Sequence, residues 1–131
     1  MPFVYKEVRE LDKKEKVGDG ECVTLIKHFT KARWTGGWKE GAAVVGNRSL
    51  AEGTAIATFV NGRWPALSHG NHAAFYLSQS ADGVYIMDQW KSDVSKPTIS
   101  KRFIKRLGKD KNGNFIRPTE NADAFSVIEK R

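Results

Sequence analysis

Apolar side chains recur at Cys22, Leu25, Ile26 and Phe29, the i, i+3, i+4, i+7 spacing of one helical face. The spacing predicts a helix over 22–33, with Asp19 or Gly20 placed to cap its start. From 35 to 53 the periodicity breaks. Gly36, Gly37, Gly41, Gly46 and Gly53 punctuate that stretch, which reads as loops and short turns. TAIATFV, 54–60, reads as a strand that runs into a turn at Asn61-Gly62. HAAFYLS, 72–78, and VYIMDQW, 84–90, read as two more strands. QSADG between them has the length and composition of a hairpin loop. KRFIKRLGKDK, 101–111, holds the densest basic cluster, and a helix around 100–107 would turn Phe103, Ile104 and Leu107 inward. A turn-rich GKDKNGN follows, then a last strand, AFSVI, at 124–128. A helix followed by an antiparallel meander predicts an α+β fold.

Composition narrows the class. At 131 residues the chain reads as one domain, 1–131, large enough for a single core. Hydrophobic residues make up 40% and there are four tryptophans, which excludes a disordered chain. With one cysteine there is no internal disulfide, so packing must supply stability. No apolar run reaches the length of about 18 residues that a membrane span needs. The opening MPFVYKEVRELDKKEKVGDG is charged and lacks the apolar stretch of a signal peptide. The expectation is synthesis in the cytoplasm without signal-dependent export. A net charge of +7 draws the protein toward polyanions, either nucleic acid or an anionic wall or membrane surface. Zinc spacing, a phosphate loop and RNA-binding motifs are all absent, so nucleic acid is not the expected partner.

Candidate chemistry starts at the lone thiol. A helix start offers partial positive charge and N–H groups without intrahelical acceptors. A thiolate at Cys22 would gain from both, and the N–H groups could hold an oxyanion. The competing view is that Cys22 is a small buried hydrophobe beside Leu25 and Ile26. A nucleophile needs a base. His28 lies about 9 Å further along the same helix, too far to bond the thiol. His69 and His72 remain, in LSHGNHAAFYL. Their H-x-x-H spacing raises a metal site, but a third ligand is missing and no metal is expected. His72 opens a strand, where a fixed backbone aims its ring, whereas His69 precedes Gly70.

A base also wants an orienting acceptor. If the hairpin loop is 79–83, Ser78 lies opposite Val84, Ala74 opposite Asp88 and His72 opposite Trp90. His72 and Asp88 are then diagonal neighbours, roughly 7–8 Å apart at the backbone. A loop one residue shorter flips the face and offers Gln89 instead. Trp34, Trp38 and Trp64 read as core residues or groove lining. Trp90, beside the site, is the strongest groove candidate.

These residues resemble a family. Gly-x-Cys-Val-x-Leu at a helix start, Gly-x-His-Ala-Ala-x-Tyr-Leu on a strand and an acid in the next strand look like the cysteine–histidine peptidoglycan amidases. These are the CHAP and NlpC groups, papain-like in core fold. GDGECVTLIKHFT, TGGWKEGAAVVGN, GTAIATFVNGRWP, SHGNHAAFYL and GVYIMDQW are similar to blocks of the small peptidoglycan amidase effectors of bacterial type VI secretion. The likeness runs from about residue 16 to 91, and the AFSVI strand also fits. It implies Cys22 as nucleophile, His72 as base and Asp88 as third member, with no cofactor; Gln89, Trp90 and His69 stand beside them as candidate orienting or substrate contacts from the register and spacing. It implies peptidoglycan stem peptides as substrate, the type VI machinery and a cognate periplasmic immunity protein as partners, and action in the periplasm of a target cell. The alternatives are a phage-type or housekeeping wall hydrolase, or a basic binding module with an inert thiol.

Overall fold

The computed structural model describes residues 2–91 and 95–131. Helix α1 spans Cys22–Phe29. Six strands follow: β1 Trp38–Ala43, β2 Ala55–Thr58, β3 Ala73–Ser80, β4 Gly83–Asp88, β5 Ser100–Lys105 and β6 Phe125–Lys130. They form one sheet in the order β1-β6-β2-β3-β4-β5, with every pairing antiparallel. The fold is α+β and papain-like: among the described residues, one α-helix laid across an antiparallel sheet.

α1 buries Leu25 and Ile26 against β3, among Phe75, Leu77, Met87 and Ile128. Each such burial is worth about 1.5–3 kcal/mol. Cys22 lies half-buried at the edge of this layer. The opposite face of the sheet buries Ile56, Ala74, Tyr76, Val84, Ile86, Ile104 and Phe125 in a second layer.

The helix is shorter than its apolar spacing predicts. Thr30 turns its hydroxyl back to the Ile26 carbonyl at 2.8 Å and accepts from Ala32 N at 3.0 Å. That local bonding competes with the next helical turn and stops it at Phe29. The cap position is Glu21 rather than Asp19 or Gly20. Asp19 still ties the start, accepting from Glu21 N at 3.0 Å and Thr24 Oγ1 at 2.6 Å. Those bonds hold its carboxyl below the usual aspartate range.

Two elements differ in kind from the sequence expectation. β1 replaces part of the expected loop, because Gly41 allows a close approach. A Cβ there would sit 2.7 Å from Glu129 Cγ and 2.9 Å from the Val127 carbonyl. The basic helix expected around 100–107 is instead strand β5, paired with β4 from Gly83↔Lys105 to Asp88↔Ser100. Only Ile104 of its apolar set is fully buried, while Phe103 lies half-buried against the Tyr85 ring at 4.8 Å. Pairing along the whole of β4 outweighs the local helical pattern.

The hairpins carry the register. Asn61 and Gly62 both have positive φ, 50° and 77°, and Val60 and Arg63 exchange backbone bonds around them. This is the two-residue turn that an Asn-Gly pair favours. The β3–β4 turn is tighter than a 79–83 loop: Ser80 pairs with Gly83, and Ser78 pairs with Tyr85 rather than Val84. A bulge between Tyr76 and Ser78 then absorbs one residue, and Phe75 pairs with Met87. Continued one step, that pairing sets Ala74 opposite Asp88. The shorter turn and the bulge cancel, so the far end of the hairpin keeps the face expected of it.

Candidate active site

His72 stands immediately before β3, with the parity of Ala74 and Tyr76. Asp88 ends β4, with the parity of Val84 and Ile86. Both are fully buried. Thr58 of β2 fixes the histidine backbone, its Oγ1 accepting from His72 N at 3.0 Å and its N donating to the His72 carbonyl at 3.0 Å. The His72 Nε2 and an Asp88 carboxylate oxygen are 2.7 Å apart. An ionised carboxylate can only accept, so Nε2 carries a proton and neutral His72 has its lone pair on Nδ1.

Nδ1 is buried and makes no hydrogen bond among the described residues. Cys22 is the neighbour that acts on the ring from the helix side. Burial works against a charged His72, but the bond to Asp88 and the nearby Cys22 side chain outweigh it and raise the imidazole pKa. Burial also works against the Asp88 charge. There the His72 bond, with Arg102 and Lys96 nearby, prevails and holds the carboxyl far below the usual range.

The chain entering α1 is shaped by two glycines. Gly18 (φ +56°) and Gly20 (φ +83°) adopt left-handed backbone that other residues resist. A Cβ on Gly18 would meet Thr24 Cγ2 at 2.5 Å. Gln89, one residue beyond Asp88, is fully buried and grips this entrance. Its Oε1 accepts from Val17 N at 2.9 Å, and its Nε2 donates to the Val17 carbonyl at 3.2 Å and the Glu21 carbonyl at 2.8 Å. Gln89 is thus bonded to the backbone before Cys22, while the imidazole takes Asp88.

Trp90 stacks on His72, ring centroids 4.4 Å apart at 21°. It also lines a cleft of about 430 Å³ with Glu21, Cys22, residues 67–71, Lys91 and Thr119. His69 is exposed on the rim of that cleft. Asn71, next to His72, accepts from Leu67 N at 2.6 Å and closes the 67–71 loop. The other tryptophans lie elsewhere. Trp38 is core, Trp64 packs edge-on to it at 5.4 Å, and Trp34 is 74% exposed. A larger cavity of about 630 Å³ lies beyond the other end of α1, between Phe3, His28 and Phe29, but has no thiol beside its histidine.

Two site residues escape the sequence reading. Lys96 Nζ lies 2.8 Å from one Asp88 oxygen, and Arg102 Nε donates to the other at 2.9 Å. Arg102 also lies over the Trp90 ring, 4.2 Å from its centroid. The signal for Arg102 was its place two residues from Ile104, which shares a sheet face only if the segment is a strand.

Fold and constellation define the class: a papain-like α+β domain with a thiol lining a cleft and a buried imidazole–carboxylate pair beside it. The model of the domesticated amidase effector 2 family matches residues 8–128. A type VI secretion amidase effector 2 protein of Salmonella typhi is 46% identical over 133 residues, 98% of this chain and 100% of that protein. A domesticated amidase effector 2 of Ixodes scapularis is 35% identical over 132 residues, 98% of this chain and 80% of that protein. A solved type 6 secretion amidase effector 2 superposes with TM-score 0.93 at 44% identity, covering 100% of this chain and 96% of that one. The chain belongs to the domesticated amidase effector 2 family.

Proposed function

We propose that this amidase effector hydrolyses an amide bond in peptidoglycan stem peptides or their cross-links, with Cys22 as nucleophile, His72 as acid–base group and Asp88 as the orienting carboxylate. The observation that carries the reading is the buried His72–Asp88 pair, with Nδ1 left for the thiol at the start of α1. His72 Nδ1 takes the Cys22 proton and the sulfur attacks the amide carbonyl. The N–H groups that begin α1 hold the oxyanion. Protonated His72 gives its proton to the leaving amine. It then activates a water that releases the acyl group from Cys22. Trp90, His69 and Lys91 border the space where the peptide would lie.

The protein acts as an antibacterial toxin, carried by type VI machinery to the periplasm of a target cell. A periplasmic immunity protein that covers the cleft protects the producer, and an acidic surface on it would suit the +7 charge. The decisive test is digestion of purified peptidoglycan with fragment masses read out, wild type against Cys22→Ala. Masses that reveal a new amine and carboxyl in the stem peptides, lost in Cys22→Ala, are expected. Release of fragments by Cys22→Ala at the wild-type rate would remove the mechanism.

A further inference from the structure

Asp88 does not serve His72 alone. Three cationic or donor groups from separate parts of the chain converge on its buried carboxylate. His72 Nε2 and Arg102 Nε share one oxygen, at 2.7 and 2.9 Å, and Lys96 Nζ lies 2.8 Å from the other. Each cation is itself anchored. Lys96, 8% exposed, reaches the Ser100 carbonyl at 3.1 Å and the Ser100 hydroxyl. Arg102 donates to the Thr119 carbonyl at 3.2 Å. Its guanidinium rests on Trp90, and Trp90 stacks on His72.

We infer that Arg102 and Lys96 are positioning residues of the site, fixing the Asp88 carboxylate and limiting how strongly it holds a proton on His72. The inference rests on the proposed role of His72 as base. A buried carboxylate with no other partner would bind the imidazolium tightly and keep it charged. A base held in its charged form cannot accept the thiol proton. Two fixed cations on the same carboxylate repel the imidazolium and offset that pull. With Lys96 Nζ beside one oxygen and Arg102 Nε on the other, they also restrain the carboxylate from rotating away from Nε2. Among the described residues, Cys22 from α1 and Asp88 from β4 act on His72 directly, while Arg102 from β5 and Lys96 from the segment before it face the Asp88 carboxylate. β2 and β6 present Thr58 and Phe125, which carry no charge.

The test is a histidine titration by NMR in Cys22→Ala protein, so that no thiol titrates beside the ring. The chain has three histidines, and exposed His28 and His69 serve as internal references. Arg102→Gln should raise the His72 midpoint by about one pH unit, while Arg102→Lys, which keeps the charge, should leave it near its starting value. Lys96→Met should move it in the same direction as Arg102→Gln. If Lys96→Met does not fold, the Arg102 pair decides. In protein with Cys22 intact, wall digestion by Arg102→Gln should recover part of its loss as pH is raised. A His72 midpoint that stays put or falls in Arg102→Gln overturns the inference. The titration does not depend on hydrolysis, so it stands or falls apart from the proposed activity.

Discussion

A buried carboxylate that holds three partners is costly to alter, and this sets what single substitutions do. Asp88→Asn keeps the shape but leaves Lys96 and Arg102 without their counter-charge. Stability should fall by about 3–5 kcal/mol, read as a lower denaturation midpoint. Hydrolysis should fall by about 10²–10⁴-fold as His72 loses its orientation. Gln89→Ala should act differently. It removes three bonds to Val17 and Glu21 and leaves the imidazole its partner. The expected result is loosened hydrogen-exchange protection at residues 17–22 and a smaller loss of rate. His69→Ala, on the exposed rim, should change KM more than kcat.

At the scale of elements, the sites of surprise share one cause. Local periodicity reports a residue's own stretch of chain, whereas pairing with a distant strand does not leave a local mark. Cys22, His72 and Asp88 were legible because each sits at the end of a strongly patterned element. β1 was not, because the glycines around it signal loops, and Gly41 serves here to let Glu129 and Val127 approach. β5 was not, because Phe103, Ile104 and Leu107 also fit a helix. Arg102 was lost with it, counted in the basic cluster of 101–111, and nothing local to Lys96 marks it as a neighbour of Asp88. The β3 bulge is the clearest case. Two departures from the expected hairpin cancel, and His72 still meets Asp88. Deleting Leu77 should leave only one of them. Residues 72–76 would then turn over, His72 would leave Asp88, and hydrolysis should fall by at least about 10³-fold. A deletion variant that folds and keeps wild-type wall digestion would show the bulge to be irrelevant.

The whole molecule couples its stability to pH through the same pair. The His72 pKa is raised on folding, so its contribution is full below about pH 6.5 and is lost as pH rises through the folded value. The Asp88 pKa is depressed, so its contribution is full above about pH 4 and is lost as pH falls through the folded value. The stability difference between wild type and His72→Gln should therefore be largest between roughly pH 4 and 6.5 and shrink above it. Thermal unfolding of both proteins across pH 4–9 checks this, and a difference that grows toward pH 9 would contradict it. The +7 charge acts at the same scale. Expression in a Gram-negative host should be tolerated in the cytoplasm and should lyse the host when an export signal is added, unless Cys22 is alanine. Lysis of equal strength without export would favour a different target.

Asp88 and Gln89 are consecutive, and strand alternation sends one to the imidazole and the other to the backbone before the thiol. One peptide unit at the end of β4 therefore works as a jig that registers both halves of the site against a common edge. A change at that edge should therefore disturb the ring and the approach to the thiol together.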